Sequence, residues 1–180
     1  MNLNLSTIIR GILILTLLSA LRVNAQENRV HYITDSIKSF DSLLGKFKGS
    51  IVYVDIWASW CQPCQQELRD KKAIKAFDIF GSKHNIVVLY ICADKDESKW
   101  KAVINQNKLT GYHIWLNPAL RQDIFGRFSF YENRAGVIKK GFYIPRHLII
   151  DQLGMVADSM ADHQNSVLLY TRLQTLLNKH

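Results

Sequence analysis

Two residues in this chain have the types and spacing to do chemistry together: Cys61 and Cys64, in the run Trp60-Cys61-Gln62-Pro63-Cys64. The chain has three cysteines. Chance places some pair three residues apart in about 3 of 100 such chains. Requiring proline at the third position lowers that to about 1 in 600. Two thiols at this spacing can close a disulfide and exchange it with another through a mixed disulfide. The attacking species is the thiolate, and a free thiol of pKa ~8.5 is only about 3% thiolate at neutral pH. The pair therefore needs an element that stabilises negative charge on sulfur.

The flanking sequence supplies one. Residues 51–57 (IVYVDIW) are β-branched and aromatic and read as a buried strand. Residues 61–80 read as one helix, with Ile74, Phe77 and Phe80 on one side and Gly81 as its stop. Cys61 then stands at the helix N-terminus, where unpaired N–H groups and the dipole favour an anion. Thiol pKa at such positions falls to between ~3.5 and ~7.5. Pro63 fits the first turn, where a missing N–H costs nothing. Cys64, one turn in and more enclosed, is suited to resolve a mixed disulfide on Cys61.

The remaining periodicity completes the frame. Residues 31–48 open with a short strand and continue with Ile37, Phe40, Leu43 and Leu44 at helical spacing. Residues 86–92 (IVVLYIC) read as a second buried strand. Residues 94–107 read as a helix with Trp100, Val103, Ile104 and Asn107 on one stripe. Residues 112–116 are a short strand and 118–125 a short helix or turn. Residues 126–141, with Arg127, Arg134, Lys139 and Lys140, read as a solvated irregular loop. Residues 147–151 and 155–159 form a hairpin about Asp151-Gln152-Leu153-Gly154, and 165–177 a closing helix. Strand–helix alternation followed by a hairpin predicts an α/β fold: a mixed central sheet, parallel first and antiparallel last, with helices on both faces.

The N-terminus carries a separate message. Residues 11–21 (GILILTLLSAL) form a weakly polar-to-apolar run after Arg10, and Val23-Asn24-Ala25 suits a cleavage site. That is the layout of a secretory signal peptide over residues 1–25, shorter than the ~20 residues that span a bilayer. Ile8 and Ile9 leave a retained membrane anchor as the alternative. Residues 26–180 form a single domain. Export places the pair in an oxidising compartment, the periplasm. Formal charge is +8, and cleavage would lower it by two by removing Arg10 and Arg22 and no acid. The basic residues are scattered and accompany no recognised nucleic-acid motif, so no nucleic-acid partner is expected.

Other uses of a paired-cysteine motif fit less well. A structural zinc site needs four ligands, and only Cys92 and scattered histidines remain. Haem attachment needs His directly after the second cysteine, where Gln65 stands. A metal-binding or metallochaperone module remains the alternative to an enzyme. Cys92 ends an apolar strand and reads as a buried, inert thiol. The six histidines (31, 84, 113, 147, 163 and 180) have no ligand spacing and read as ordinary surface or core residues.

The run Val54-Asp55-Ile56-Trp57-Ala58-Ser59-Trp60-Cys61-Gln62-Pro63-Cys64 resembles the active-site strand and helix of the thioredoxin family. Ile144-Pro145-Arg146-His147-Leu148-Ile149-Ile150-Asp151, followed by Gly154, is similar to the family's cis-proline strand and hairpin. The resemblance covers about residues 30–178 in order. With Glu67 and the leader, it points to the exported TlpA/ResA-like branch. It implies a thioredoxin-like fold and a protein-disulfide oxidoreductase with no bound cofactor, a reductant by preference, with oxidase or isomerase work as the alternative. Its substrates would be thiols and disulfides of exported proteins. Its electrons would come from an upstream membrane or periplasmic thiol donor.

By the same resemblance Cys61 is the nucleophile, Cys64 the resolving cysteine, and Asp55 the family's buried acid. A desolvated carboxyl has a raised pKa and can take the proton from Cys64; the bland alternative is a solvent-facing strand residue. Glu67 matches the acid near the pair, or is a solvated first-turn glutamate. Pro145 matches the cis-proline, letting the Ile144 backbone pair with an extended substrate. Trp60, Gln62, Pro63, Ile144, Pro145 and Arg146 make up the expected substrate-binding set. Three departures stand out. Asp55 stands where the exported branch often has Asn, so the chain mixes features of two branches. Leu68 and Arg69 occupy the place of a proline common soon after Glu67, and Arg146 stands where Thr is common. Arg146 either brings positive charge near Cys61 or is a solvated arginine.

Overall fold

The structure, a computed structural model, describes residues 30–134 and 136–179; the expected leader over residues 1–25 lies outside them. Its eight strands are β1 Val30–Tyr32, β2 Ile51–Trp57, β3 Ile86–Cys92, β4 Gly111–Trp115, β5 Phe130–Arg134, β6 Val137–Gly141, β7 Arg146–Ile150 and β8 Val156–Ala161. Its helices are α1 Phe40–Leu44, α2 Gln62–Arg69, α3 Lys71–Lys83, α4 Ser98–Asn107, α5 Pro118–Phe128 and α6 Val167–Leu177.

β2 is buried at every position, as its apolar run requires. It lies inside a six-stranded sheet of order β1-β4-β3-β2-β7-β8. β1, β4, β3 and β2 are mutually parallel, β7 pairs antiparallel with β2, and β8 pairs antiparallel with β7. The helices pack on both faces. On one, Tyr53 meets Phe77 of α3, which meets Tyr170 of α6. On the other, Phe47 meets Tyr112, and Phe40 of α1 meets Phe128 of α5. The hairpin turn before β8 forms as expected: Gly154 has φ +86, and Asp151 Oδ1 accepts from the N–H groups of Leu153 and Met155.

Three sequence expectations need correction. The helix over 61–80 is two helices. Asp70 ends α2 through its N–H to the Glu67 carbonyl (3.0 Å) and starts α3 by accepting from the Ala73 N–H (3.0 Å). A short polar side chain that bonds the backbone breaks the helix here without a proline. Gly81 is not a stop, because α3 continues to Lys83. A Cβ there would sit 3.1 Å from the Ile86 carbonyl oxygen, so glycine serves the close approach of α3 to β3.

The loop expected over 126–141 is largely ordered. α5 runs on to Phe128, and β5 pairs with β6 as a separate antiparallel hairpin. Gly136, at φ +85, lies in its turn with its N–H on Asn133 Oδ1. Glu132 lies opposite Lys139, a charge pair that sequence periodicity does not reveal. Phe130 stacks on Tyr143 and Phe125 on Phe142, tying the hairpin to the segment that leads into β7.

Candidate active site

β2 ends at Trp57, and a short turn carries the chain to Cys61. The turn is fixed from both sides. Cys61 N–H and Gln65 Nε2 both donate to the Ala58 carbonyl, at 3.2 Å each. Asp94, just beyond β3, accepts from the Ser59 N–H (3.1 Å) and the Ser59 hydroxyl (3.1 Å). Asp94 is itself held, since Trp115 Nε1 and Arg121 donate to its carbonyl. The sequence reading put Asp94 at the start of a helix. That helix instead begins at Ser98, which frees Asp94 to hold the active-site turn. Nothing local marks this role, because its partner lies 35 residues away.

Cys61 and Cys64 are joined by a disulfide, with S–S 2.00 Å and Cα atoms 5.3 Å apart. Cys61 is the N-cap of α2, and its Sγ accepts from the Cys64 N–H at 3.3 Å. After reduction that N–H and the dipole of α2 face the Cys61 sulfur and favour its thiolate. Both cysteines are buried, Cys64 the more deeply. Around them Trp60 is 69% exposed, and Gln62 and Pro63 are exposed too. The pair thus sits at a rim with a flat apolar ring beside it.

The bond between Ile144 and Pro145 is cis. In the β2–β7 register Ile56 lies opposite Arg146. One step further places Pro145 at the end of β2, where the turn to Cys61 departs. Arg146 is buried rather than solvated. Its guanidinium donates to the Ser159 carbonyl (3.1 Å) and lies 5.4 Å from the Phe142 ring centroid. Cys92 is a buried free thiol that donates to Asp94 Oδ2, and burial pushes its pKa up.

Asp55 is 4% exposed, so the solvent-facing alternative does not hold. Burial raises its pKa from 3.8 to about 6, partly countered by His147. His147 lies directly opposite Asp55 in the β2–β7 register. Its Nε2 is 3.7 Å from Asp55 Oδ1 and 3.3 Å from Glu67 Oε2. Burial lowers the His147 pKa, but Glu67 and Asp55 outweigh it and the net direction is up. Glu67 is therefore half-buried against a histidine, not a freely solvated first-turn acid. His147 is the residue that sequence reasoning passed over. The available signal was a histidine two after Pro145, leading into the apolar run Leu148-Ile149-Ile150.

The sequence profile of a thioredoxin-like family matches residues 49–156, a span holding the cysteine pair, Asp55, Glu67 and the cis-proline. This chain belongs to the thioredoxin-like family. It carries the paired cysteines of a thiol–disulfide oxidoreductase. No curated protein matches its sequence. Among solved structures it is similar to the thioredoxin domain of a thiol–disulfide oxidoreductase from Bacteroides vulgatus, with 18% identity, TM-score 0.58, and coverage of 75% of this chain and 84% of that one. A thiol:disulfide interchange protein of the thioredoxin family from Chlorobium tepidum superposes with TM-score 0.56 at 16% identity, over 74% of this chain and 83% of that one. A secreted thiol–disulfide isomerase from Corynebacterium glutamicum gives TM-score 0.50 at 21% identity, over 75% and 78%.

Proposed function

We propose that this thioredoxin-like chain is an exported reductant of protein disulfides, working in the periplasm on thiols and disulfides of other exported proteins. The observation that carries the reading is the Cys61–Cys64 pair, with Cys61 capping α2, and a buried carboxyl, Asp55, on the strand that leads into it. In the reduced protein the Cys61 thiolate attacks a substrate disulfide. A Cys61–substrate S–S bond forms, and the other substrate sulfur leaves with the electron pair and takes a proton. Asp55 accepts the proton of Cys64. The Cys64 sulfur then attacks Cys61, closing their disulfide and releasing the second substrate thiol. The substrate is reduced by two electrons and the pair is oxidised. An upstream thiol donor in the membrane or periplasm restores it.

Two features support the reducing direction. A strongly oxidising couple needs a strongly stabilised thiolate. Here two carboxyl groups, Asp55 on β2 and Glu67 one turn after Cys64 on α2, stand on the elements that flank the pair, and their negative charge opposes the build-up of more on sulfur. Export is supported by the apolar leader-like run over residues 11–21. The exposed Trp60, with Gln62 and Pro63, offers a face for an extended substrate, and Ile144 before the cis-proline offers backbone to pair with it.

The test is the reduction potential of the Cys61–Cys64 couple, equilibrated against dithiothreitol or glutathione. A value near thioredoxin's, about −270 mV, supports the reductant. A value near about −120 mV makes the protein an oxidant and overturns the direction. The absence of any reversible two-electron couple overturns the enzymatic reading and favours a metal-binding module.

A further inference from the structure

Three shielded polar atoms converge between β2, β7 and α2: Asp55 Oδ1, His147 Nε2 and Glu67 Oε2. None has a hydrogen-bond partner. His147 Nε2 lies between the carboxyls, at 3.7 Å and 3.3 Å. Exposure rises along the line, from 5% for the Asp55 side chain and 7% for His147 to 24% for Glu67. The other groups facing His147 are few. Tyr53 of β2 stacks on its ring, the carbonyl of Ala161 in β8 favours its protonated form, and the His163 ring lies 5.8 Å away. Tyr90 of β3, with its hydroxyl on Gln164, is next to Asp55 in the strand register.

A second buried histidine shows what a purely structural one looks like here. His113 stacks on Tyr90 at 5.0 Å, and neither of its ring nitrogens has a partner. Burial pulls its pKa down to about 3, so it stays neutral. His147 is comparably enclosed but faces two carboxyl groups, which draw its pKa the other way.

The reaction poses a problem that this line of groups solves. On the reading above, each resolving step delivers a proton from Cys64 to Asp55, which is sealed from water. We propose that His147 is a positioning residue that relays this proton from Asp55 to Glu67, and so to solvent. The steps balance. Cys64 gives its proton to the Asp55 carboxylate. The carboxyl passes a proton to neutral His147 at Nε2 and becomes a carboxylate again. His147 then gives the Nε2 proton to Glu67, which releases it to water. Re-reduction of the pair runs the line in reverse. The Cys64 S–H bond is the one bond to sulfur that breaks, and every later change in the relay is a proton moving between oxygen and nitrogen. The inference rests on the exchange reading and adds the proton path that reading lacks.

The experiment is stopped-flow exchange of the fully reduced chain with a disulfide-bonded peptide, followed by tryptophan fluorescence across pH 5 to 9. The first phase reports attack by Cys61 and the second reports resolution by Cys64. The readout is the ratio of second-phase to first-phase rate. A positioned proton-transfer group is worth about 10²–10⁴ in rate, so His147→Gln is expected to lower this ratio about a hundredfold near neutral pH and to move its pH profile. Glu67→Gln should lower it in the same direction with His147 retained. A ratio and profile in His147→Gln equal to those of the natural chain overturn the relay. Absence of a first phase in the natural chain overturns the exchange reading, and the relay falls with it. If His147→Gln does not fold, NMR titration of the His147 imidazole in the Asp55→Asn and Glu67→Gln proteins decides. Its pKa is expected to fall in each, and a titration indifferent to both overturns the relay.

Discussion

Asp55 and His147 face each other across the β2–β7 ladder, with Asp55 Oδ1 3.7 Å from His147 Nε2 in a layer closed to water. Burial raises the acid and the carboxyls raise the base, so both hold protons more tightly in the folded chain than in the unfolded one. Both contributions to stability are therefore fully present at low pH. The Asp55 part is lost as pH rises from about 4 through its folded value of about 6. The His147 part is lost above its ordinary value of 6.5.

The oxidised chain should thus be more stable near pH 4 than near pH 7 on account of Asp55, by an amount approaching about 3 kcal/mol, since one pKa unit corresponds to about 1.4 kcal/mol. Asp55→Asn should remove that slope and be the more stable protein at pH 7, while slowing the resolving step. Urea unfolding at the two pH values checks the first claim. An unchanged slope in the variant would show that Asp55 is not the group responsible.

Asp94 should matter for the active site although it touches neither cysteine. Asp94→Ala leaves the Ser59 N–H and hydroxyl and the Cys92 thiol without their acceptor. Unsatisfied buried donors cost about 1–3 kcal/mol each at this scale, and the turn before Cys61 should loosen. Faster amide exchange at Ser59, with a lower urea midpoint, is the expected result. Asp94→Asn keeps one acceptor oxygen and should recover part of the loss.

Trp60 should separate recognition from stability. Its side chain is 69% exposed, so Trp60→Ala should change stability within about 0.5 kcal/mol. Exchange with peptide disulfides should slow, while exchange with a small disulfide such as oxidised dithiothreitol should not. Equal slowing of both substrates would place Trp60 in the chemistry rather than in binding.

Gly111 opens β4 at φ +94, where a Cβ would sit 2.7 Å from the backbone oxygen of Val88. Gly111→Ala combines a disfavoured backbone with a clash against another backbone. A loss of about 1–3 kcal/mol or more is expected by thermal or denaturant unfolding. The cost should be nearly pH-independent, unlike that of Asp55.

The sequence by itself determined the chemistry and its immediate frame. The cysteine spacing, the proline between the cysteines, the apolar strand before them and the order of strands and helices are all local in the chain. Periodicity and residue type read such features directly. The hairpin about Gly154 was legible for the same reason. Contacts between distant segments were decided only by the tertiary structure. Asp70 splitting one helix into two was a competition between side chain and backbone that periodicity does not weigh. The β5–β6 hairpin draws on cross-strand pairs and on stacking against residues 142 and 143, outside either strand. Asp94 reaches Ser59 because β3 and β2 end side by side. His147 looked like an ordinary histidine because its meaning depends on β7 lying antiparallel to β2 in one register. A shift of one residue would turn its imidazole to the other face of the sheet, away from Asp55 and Glu67.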